Sequence, residues 1–386
     1  MRMRLHVRGL LALGLLWGTA CTAASTADVA AGNTQYGQLI ADAGADASSG
    51  WTTVGSGDAG AIAPGAAYSG RVAVSAGIPY AIFPDYANSG KLTVMKLSGG
   101  KWTAVGVAGF TSESTYYYTL YVDAGTPYVA YVGSSTYKLT VMKYNGSAWV
   151  VVGTAGFAAT SGYGIASLAV SNGTPYVAFV DATSQLLVMV FNGSAWTVVG
   201  GGPFSTSGSS CAMTIFNGAP YVACTDYTTS SVTKLVTHNG TAWVLVAQVP
   251  YTIDEDYGQD LSVSNGALYL TFYNYTYGAV VLKLTGSTLV SVGALGSISN
   301  GAYIEYLSGA VYNGTPYVAY DDEDRDSDPQ PKAATVKYFD GKTWQLYAGY
   351  ANPCDIEDTF IAADQTTGQI YFTYSDCNGY MTVQVH

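Results

Sequence analysis

Short runs of apolar and aromatic residues alternate with polar turn residues along most of this chain. In one representative stretch, apolar runs at 167–170 and 176–179 flank an Asn-Gly turn, a third run follows at 186–191, and a second Asn-Gly turn leads to a fourth at 196–200. Asn-Gly favours two-residue hairpin turns, because both turn positions need a positive φ. The pattern therefore predicts four antiparallel strands joined by hairpins.

The four-strand pattern recurs seven times, and each copy carries a tyrosine just after its first tight turn. These repeat tyrosines are 48, 48, 45, 48, 48 and 54 residues apart, and they are Tyr80, Tyr128, Tyr176, Tyr221, Tyr269, Tyr317 and Tyr371. A period near 48 indicates one supersecondary unit stacked on copies of itself. Hairpin connections favour a propeller blade, since a parallel solenoid would need crossovers. We predict an all-β, seven-bladed β-propeller over residues 48–386, with four antiparallel strands per blade.

A second recurring phrase, Trp-x-x-Val-Gly, opens the fourth strand of the unit. Its tryptophans are Trp51, Trp102, Trp149, Trp196, Trp243 and Trp344, and Leu289 takes their place in the fifth unit. Because the indoles recur in step with the strands, we interpret them as core between blades; a stacking platform for sugar is the alternative. Trp51 has no first three strands before it, and the chain ends on a third strand. We therefore predict that an N-terminal outer strand at 51–55 completes the last blade and closes the ring.

The first 21 residues have the layout of an export signal. Arg2, Arg4 and Arg8 precede an apolar run at 9–17, and small residues follow the run. The apolar run is too short to span a bilayer. We expect an exported protein, lodged in the cell envelope or released outside the cell.

The segment after the apolar run bears on membrane attachment. Cys21 lies where bacterial lipoprotein signals place the lipid-modified cysteine; cleavage within 22–24 and release of a soluble protein is the alternative. Residues 22–47 are mostly small and polar with little to bury, which is typical of a flexible linker. Contact with a membrane is therefore expected only through a lipid anchor at Cys21.

The chain is acidic, and its acids are unevenly distributed. It has 15 Lys and Arg against 26 Asp and Glu, and loss of the signal segment with its three Arg leaves 12 basic residues. Nucleic acid is excluded as a partner, since its recognition needs a basic face. Seventeen of the acids but five of the Lys and Arg follow residue 250. We expect an acidic surface on one end of blades five to seven.

Candidate ligand-binding residues lie in that acidic part of the chain. In a propeller, the loops between second and third strands and between consecutive blades share one face, where ligands commonly bind. The candidates assigned to these loops are Asp256, Tyr257, Tyr303, Glu305, Tyr306, Asp321, Glu357 and Asp358. Three interpretations stay open: a solvated loop set, cation binding, and glycoside chemistry by a carboxylate pair about 5 to 9.5 Å apart.

The cation interpretation rests on one run, Asp322, Asp324, Asp326 and Asp328, whose alternation is typical of calcium loops. The run lacks the glycine and the distal glutamate of an EF-hand. Calcium is the one cofactor that this chain suggests. Histidine occurs only three times, at His6, His238 and His386. That scarcity excludes Ser-His-Asp catalysis and most catalytic zinc sites, so no catalytic residue is assigned.

A further acidic position recurs five residues after the repeat tyrosine. It holds Asp85, Asp181, Asp226, Asp322 and Asp376, with Asn274 in the fifth unit and Gly133 in the second. A ring of carboxylates around one face is the functional interpretation. We favour the structural one, in which an aspartate at a strand end accepts hydrogen bonds from the turn that follows.

Four cysteines follow the signal segment, an even number that predicts disulfides in an exported protein. Counting outward from the turn at 217–218 places Cys211 opposite Cys224 at a non-hydrogen-bonded site, where Cα atoms approach closely. Cys354 and Cys377 lie in two loops at the same end of the last blade. We predict these two disulfides.

Several phrases within residues 127–153 resemble a known class of repeats. Pro-Tyr-Val-Ala-Tyr, Val-Met-Lys-Tyr-Asn-Gly and Trp-x-x-Val-Gly resemble the repeats of uncharacterised secreted bacterial β-propeller proteins, and this resemblance covers residues 48–386. The Trp-x-x-Val-Gly element is also loosely similar to tectonin-type and seven-bladed lectin repeats. That similarity implies sugar binding in pockets between blades. No ligand residue of those lectins matches this chain position by position.

These observations favour an exported, surface-tethered binding module, a monomer that recognises glycan or a surface protein through loops on one propeller face. Many equivalent units suit weak multivalent contacts better than one catalytic centre. The first alternative is a carbohydrate-active hydrolase or lyase that uses carboxylates of blades five to seven. The second is a structural protein of the cell envelope.

Overall fold

A computed structural model describes residues 52–55, 62, 69–161, 167–228, 232–251, 254–299, 303–323, 333–351, 357–375 and 380–386. All of them belong to one compact unit, Ala43–His386. The predicted export signal with Cys21, the linker at 22–47 and Trp51 lie outside the described residues, so those interpretations stay predictions.

Seven four-stranded antiparallel sheets follow one another along the described chain, and each is a propeller blade. The first strand, β1 (Thr52–Thr53), belongs to blade 7. Blade 1 has β2 (Arg71–Ser75), β3 (Ile78–Asp85), β4 (Lys91–Ser98) and β5 (Lys101–Ala104); blade 2 has β6 (Thr115–Asp123), β7 (Thr126–Gly133), β8 (Lys138–Tyr144), β9 (Trp149–Val151) and a short extra strand, β10 (Ala158–Ala159); blade 3 has β11 (Ser167–Ser171), β12 (Thr174–Val180), β13 (Leu186–Phe191) and β14 (Trp196–Val198). The predicted fold is confirmed.

The remaining blades repeat the same order. Blade 4 has β15 (Gly208–Phe216), β16 (Ala219–Asp226), β17 (Val232–His238) and β18 (Trp243–Gln248); blade 5 has β19 (Asp254–Ser264), β20 (Ala267–Asn274), β21 (Gly278–Thr285) and β22 (Thr288–Ser291); blade 6 has β23 (Tyr303–Tyr312), β24 (Thr315–Glu323), β25 (Ala333–Phe339) and β26 (Trp344–Ala351); blade 7 has β27 (Glu357–Ala363), β28 (Ile370–Ser375) and β29 (Met381–Val385), completed by β1. In the described parts of the chain, two short 3₁₀ turns, Tyr86–Asn88 and Val199–Gly201, lie between strands. Within the described ranges, no helix has the length and apolarity to cross a membrane.

The ring closes through hydrogen bonds between strands from the two ends of the propeller. Thr52 lies opposite Val385 and Thr53 opposite Gln384 in an antiparallel pair. The next residue extends the pairing, since the Val54 N–H donates to the carbonyl of Val383 at 2.9 Å. The predicted N-terminal outer strand of the last blade is therefore confirmed.

The first strands of neighbouring blades contact one another around the ring and so surround its centre. Each first strand leads through a tight turn to the second, as at Asn172 and Gly173, where φ is 50° and 76°. Both values are positive, as the Asn-Gly pattern predicts. These turns (76–77, 124–125, 172–173, 217–218, 265–266 and 313–314) and those between third and fourth strands form what we term the hairpin face. The opposite end, with the loops between second and third strands and between blades, is the loop face.

The core is divided among the interfaces between blades. Among the described residues, buried apolar side chains form seven clusters, one at each pair of neighbouring blades. At the blade 1–2 interface, for example, Ile82 and Leu92 from blade 1 pack against Val129 from blade 2, and all three are fully buried. Burial of one such side chain stabilises the fold by about 1.5–3 kcal/mol. Stability therefore depends on contact between blades.

One predicted disulfide is present within blade 4. Cys211 lies opposite Cys224 in the β15–β16 pair, their sulfurs are bonded, and their Cα atoms are 4.4 Å apart. That spacing matches a non-hydrogen-bonded pair, as the register count predicted. Cys354 and Cys377 lie outside the described residues, so their pairing stays a prediction.

Candidate functional site

The recurring tryptophans are part of the contact between blades. Five indole N–H groups donate to a valine carbonyl of the preceding blade: Trp102 to Val54 (2.7 Å), Trp149 to Val105 (2.7 Å), Trp196 to Val152 (2.8 Å), Trp243 to Val199 (3.1 Å) and Trp344 to Val292 (2.9 Å). A phenylalanine of the preceding blade also stacks on two indoles, with centroids 4.0 Å apart for Phe110 and Trp149 and 4.4 Å apart for Phe157 and Trp196. The interpretation as core between blades is confirmed for these copies.

The glycine that ends the Trp-x-x-Val-Gly phrase is explained by the same contact. Gly106 has φ +74°, and a Cβ there would lie 3.1 Å from Cδ1 of Trp149 and 2.9 Å from a ring carbon of Tyr144. Gly153 has φ +76° and a Cβ there would meet Trp196 at 3.1 Å. The phrase thus joins two blades: valine and glycine of one blade receive the indole of the next. We term this contact the Trp–Val–Gly latch.

Two open grooves lie between blades on the hairpin face. The blade 1–2 groove has a volume of about 560 Å³ and is lined by Tyr80, Lys96, Val105, Gly125, Thr126, Pro127, Tyr128, Lys143, Tyr144, Asn145 and Gly146. The blade 5–6 groove has a volume of about 530 Å³ and is lined by Tyr269, Lys283, Val292, Gly314, Thr315, Pro316, Tyr317, Tyr338, Phe339, Asp340 and Gly341. The two linings correspond position by position through the repeat. One recurring structure therefore produces both grooves.

The repeat tyrosine forms the back wall of each groove and bridges to the next blade. The Tyr80 hydroxyl donates to the carbonyl of Gly125 at 3.3 Å, and the Tyr269 hydroxyl donates to the carbonyl of Gly314 at 3.3 Å. Burial raises the pKa of Tyr80, so its hydroxyl stays protonated and remains a donor at neutral pH. The tyrosine is thus held by the next blade while it lines the groove.

The rims of the two grooves differ in charge. In the blade 1–2 groove, Oδ1 of Asn145 accepts hydrogen bonds from the backbone N–H groups of Ser147 and Ala148. In the blade 5–6 groove, Asp340 occupies the same position in its turn. Hydrogen bonds, first from the Thr343 N–H, lower the pKa of Asp340, so this rim carries a negative charge. The two grooves share a shape but not an electrostatic character.

Several candidates from the sequence lie at the starts of inner strands on the loop face, at β-bulges rather than in loops. Register shifts occur between Glu305 and Ser308 in β23 and between Glu357 and Phe360 in β27. Tyr306 (φ 50°) and Asp358 (φ 63°) lie in these bulges. A left-handed backbone at non-glycine residues is strained and is found at functional positions more often than elsewhere.

The side chains of these bulges connect neighbouring blades. Oδ2 of Asp358 accepts a hydrogen bond from the Ser69 N–H at 2.5 Å, and the Tyr306 carbonyl accepts one from the Thr359 hydroxyl at 2.8 Å. Glu305 lies directly opposite Asp321 in the β23–β24 pair, and Asp321 is fully buried. A substrate cannot reach the Asp321 carboxyl in this conformation. This pair therefore does not form an open glycosidase-type site.

For four further candidates, the structure describes the backbone but not the side chain. Asp256 and Tyr257 lie in the irregular part of β19, Tyr303 pairs with Glu323, and Glu357 pairs with Ser375, but their side chains lie outside the description. The same is true of the Asp322 side chain and of Asp324, Asp326 and Asp328 entirely. Among the side chains that are described, no three His, Cys, Asp or Glu are placed to hold a metal ion. The calcium interpretation stays a prediction.

The recurring strand-end acids are turn supports where they are described. Oδ1 of Asp181 accepts hydrogen bonds from the Thr183 and Gln185 N–H groups at 2.8 and 2.9 Å. Asp226 accepts from the Thr228 N–H and forms a 2.7 Å salt bridge with Lys234. The structural interpretation is confirmed for these copies.

Blade 2, which has Gly133 instead of the aspartate, obtains its carboxylate from elsewhere. Glu113, in the loop before β6, accepts hydrogen bonds from the Ser135 N–H at 2.9 Å and the Thr136 hydroxyl at 2.7 Å. A Cβ at Gly133 would overlap Oε1 of Glu113. The sequence offered no signal for this replacement, since Glu113 lies 20 residues before the position that it serves.

Two charged residues that the sequence did not suggest lie on first strands, which surround the centre of the ring. Arg71 of β2 lies with its guanidinium carbon 5.6 Å from the Tyr118 ring centroid and 5.8 Å from that of Phe360. Asp260 of β19 accepts a hydrogen bond from the Gly309 N–H at 2.9 Å. Burial raises the pKa of Asp260, and the Arg71 charge opposes that rise only in part. The contacts bind blades 7, 1 and 2 together on one side and blades 5 and 6 on the other.

Comparison with known proteins supports the fold. No family model matches the chain, and no curated protein matches it. Among solved structures, the fucose-specific lectin from Aleuria aurantia is similar with a TM-score of 0.50 and 11% identity, over 75% of this chain and 96% of that chain. The SapL1 lectin in complex with α-methyl fucoside (TM-score 0.46, 12% identity, 69% and 94% covered) and the Hadza microbial sialidase Hz136 (TM-score 0.46, 12% identity, 80% and 73% covered) are more distant.

The likeness to these structures concerns the propeller architecture. The Aleuria aurantia lectin is described as a six-bladed β-propeller, whereas the described part of this chain forms seven blades. The likeness therefore shows the propeller fold, and the grooves between blades are the candidate binding site on the basis of their own geometry.

Proposed function

We propose that this chain is an exported, surface-tethered, monomeric propeller that binds glycans in the grooves between blades on its hairpin face. The observation that carries the proposal is the equivalence of the blade 1–2 and blade 5–6 grooves. A catalytic centre needs one arrangement of reactive groups, whereas repeated recognition needs the same surface several times. The tether is the expectation drawn from the segment around Cys21.

The chemistry of the grooves suits a sugar. Each is within the size range of a small-molecule site and combines aromatic side chains with a few polar groups. In the blade 1–2 groove, Pro127 and Tyr144 offer flat apolar surface for the C–H face of a sugar ring, while Asn145 stands at the rim. Each groove is open, so single contacts are weak, and several grooves on one face raise the overall affinity by about 10²–10⁴ when a polymer engages more than one.

The test is a glycan array followed by titration with a hit, using wild-type protein and a variant with both grooves obstructed. Thr126→Trp and Thr315→Trp place an indole in each groove at equivalent positions on the second strands. Thr197→Trp is the matched control, since Thr197 is exposed on outer strand β14 of blade 3 and lines neither of the two grooves. We expect the double variant to lose affinity at least tenfold and the control to bind like wild type.

Two results would overturn the proposal. One is the absence of binding to any glycan on a broad array. The other is binding that the double obstruction leaves unchanged, which would move the site to the loop face, where Tyr306 and Asp358 lie. Release of sugar product from a bound oligosaccharide would instead support a hydrolase or lyase.

A further inference from the structure

Three blades place a lysine directly opposite the repeat tyrosine. In the pairing of second and third strands, Tyr80 lies opposite Lys96, Tyr128 opposite Lys143, and Tyr269 opposite Lys283. Directly opposite residues in an antiparallel pair project to the same face of the sheet. Each of these tyrosines therefore has a lysine on the same face of its sheet, and in blade 5 the Lys283 Nζ lies 5.4 Å from the Tyr269 centroid.

The other blades have uncharged residues at this position. Tyr176 lies opposite Val190, Tyr221 opposite Thr237, Tyr317 opposite Tyr338, and Tyr371 opposite Val385. The lysine is thus not required by the blade fold. It occurs in the same three blades whose tyrosine hydroxyl donates to a glycine carbonyl of the next blade, at 3.3 or 3.4 Å.

These lysines make no polar contact through their amines within the described protein, although Lys283 lies over the Tyr269 ring. Within the described residues, the amines of Lys96, Lys143 and Lys283 make no hydrogen bond and no salt bridge; the one salt bridge there is between Lys234 and Asp226. An ammonium group has three donors and no acceptor. The chain has a net charge of −11, so these lysines make the grooves locally more positive than the protein as a whole.

The two grooves differ in how many amines they contain. Lys96 and Lys143 both line the blade 1–2 groove, whose rim is the neutral Asn145. The blade 5–6 groove has Lys283 alone, with Tyr338 in the position of the second lysine and the ionised Asp340 at the rim. Attraction for an anion is therefore greatest between blades 1 and 2.

We infer, on the basis of the proposed function, that the grooves select sugars that carry an anionic group, with the lysine beside the repeat tyrosine as its partner. The sugar ring contacts the aromatic and proline surface, and its carboxylate or sulfate accepts hydrogen bonds from the ammonium group. The blade 1–2 groove is the strong site and the blade 5–6 groove the weak one. Binding decreases as salt rises, since exposed charges are screened beyond about 8 Å at physiological ionic strength.

The test compares three probes on the full chain: a galacturonate hexamer, a sulfated oligosaccharide and a neutral galactose oligomer of equal length. Affinity is measured by calorimetry at low and high salt for wild type and for Lys96→Gln/Lys143→Gln. Lys101→Gln is the matched control, because Lys101 is an exposed lysine of the same blade that lies outside the groove.

We expect the double variant to bind the charged probes about tenfold more weakly, with the neutral probe and the control variant unaffected. The carboxylated and sulfated probes then identify which anion is preferred. Equal affinity for the neutral oligomer, together with no effect of the double variant, overturns the inference but leaves glycan binding intact. If none of the probes and no glycan on the array binds, the proposed function fails as well.

Discussion

The interface between blades 1 and 2 and the interface between blades 4 and 5 are built from the same repeat but differ at its most regular contact. At the first, Trp149 donates to the carbonyl of Val105 and lies against Gly106. At the second, Leu289 replaces the tryptophan, and Ala247 stands where the preceding blade would have its glycine. The latch is lost from both sides at once.

The backbone of the preceding strand changes with these side chains. β18 contains a register shift, since Leu235 pairs with Ala247 and Val236 with Leu245, so that one residue is left over. The strand then continues to Gln248, where β9 of the regular interface ends at Val151. β26, in which Ala348 also stands in place of the glycine, has the same register shift and continues to Ala351, so the longer outer strand accompanies the loss of the glycine. Tryptophan, valine and glycine therefore act as one unit distributed over two blades. Substitutions in the Trp–Val–Gly latch should lower the free energy of unfolding at the blade 1–2 interface, whereas the blade 4–5 interface has no latch to lose.

Trp149→Ala should have the largest effect. It removes a large half-buried ring, the hydrogen bond to Val105 and the stack on Phe110, at a cost of about 3–5 kcal/mol in the free energy of unfolding. Denaturant unfolding followed by tryptophan fluorescence and circular dichroism measures the loss. A change below about 1 kcal/mol would contradict the role of the latch as a main contact between these blades.

Gly106→Ala should cost less, and it has an internal control. Gly106 and Gly100 have nearly the same φ, +74° and +76°, but a Cβ at Gly106 meets two rings while one at Gly100 has open space around it. Both variants bear the left-handed strain of about 1–2 kcal/mol, and only Gly106→Ala adds the clash. Thermal unfolding of the two variants should differ by several degrees; identical melting temperatures would show that the indole moves aside freely.

Two carboxyls in adjacent blades, Asp226 in blade 4 and Asp260 in blade 5, should make opposite contributions to the pH dependence of stability. Hydrogen bonds from Lys234 and Thr228 outweigh burial and lower the pKa of Asp226, so its stabilisation is present above about pH 4 and is lost as pH falls. Burial raises the pKa of Asp260, so stabilisation by its neutral form is present below about pH 4 and is lost as pH rises.

This sign difference is measured by unfolding wild type, Asp226→Asn and Asp260→Asn between pH 3 and pH 7. The deficit of Asp226→Asn should widen by about 1 kcal/mol toward pH 7, and that of Asp260→Asn should shrink. Parallel pH profiles for the two variants would show that folding does not lower the pKa of Asp226 and raise that of Asp260.

The smallest effect is expected from the repeat tyrosines. Tyr128→Phe removes a donor to the Gly173 carbonyl at 3.4 Å, at a cost of about 0.5–1.5 kcal/mol. Tyr176→Phe is the control, since the Tyr176 hydroxyl donates no such bond among the described residues. Equal losses of unfolding free energy in the two variants would show that the hydrogen bond from Tyr128 to the Gly173 carbonyl does not stabilise the contact between blades.

Much of the fold could be predicted because it is local and repeated. Hairpin turns, strand register and the pairing of Cys211 with Cys224 depend on residues within one blade, so counting from a turn is sufficient. The ring closure followed from an unpaired fragment at each end of the propeller. The core role of the tryptophans followed from their period, although the carbonyl that each indole meets could not be deduced.

The candidate site was harder to predict because it depends on contacts between distant parts of the chain. Asp358 accepts a hydrogen bond from Ser69, which lies 289 residues earlier, and Glu113 supplies the carboxylate that Gly133 lacks. The lysines opposite the repeat tyrosines could have been found by extending the register to the third strand. The acids are concentrated after residue 250 and indicate the loop face, whereas these lysines are single residues spread over three blades.

The closing strand also determines how the ring would respond to mechanical tension. A pull applied at the N-terminal side of β1 would act first on the bonds of Thr52, Thr53 and Val54 to β29 and on the bond from Trp102 to Val54. These few bonds lie at the outer edge of blade 7, and their rupture would separate that edge before any other blade is loaded. Under flow or shear, the propeller would open at this seam while the Cys211–Cys224 bond holds the blade 4 hairpin together.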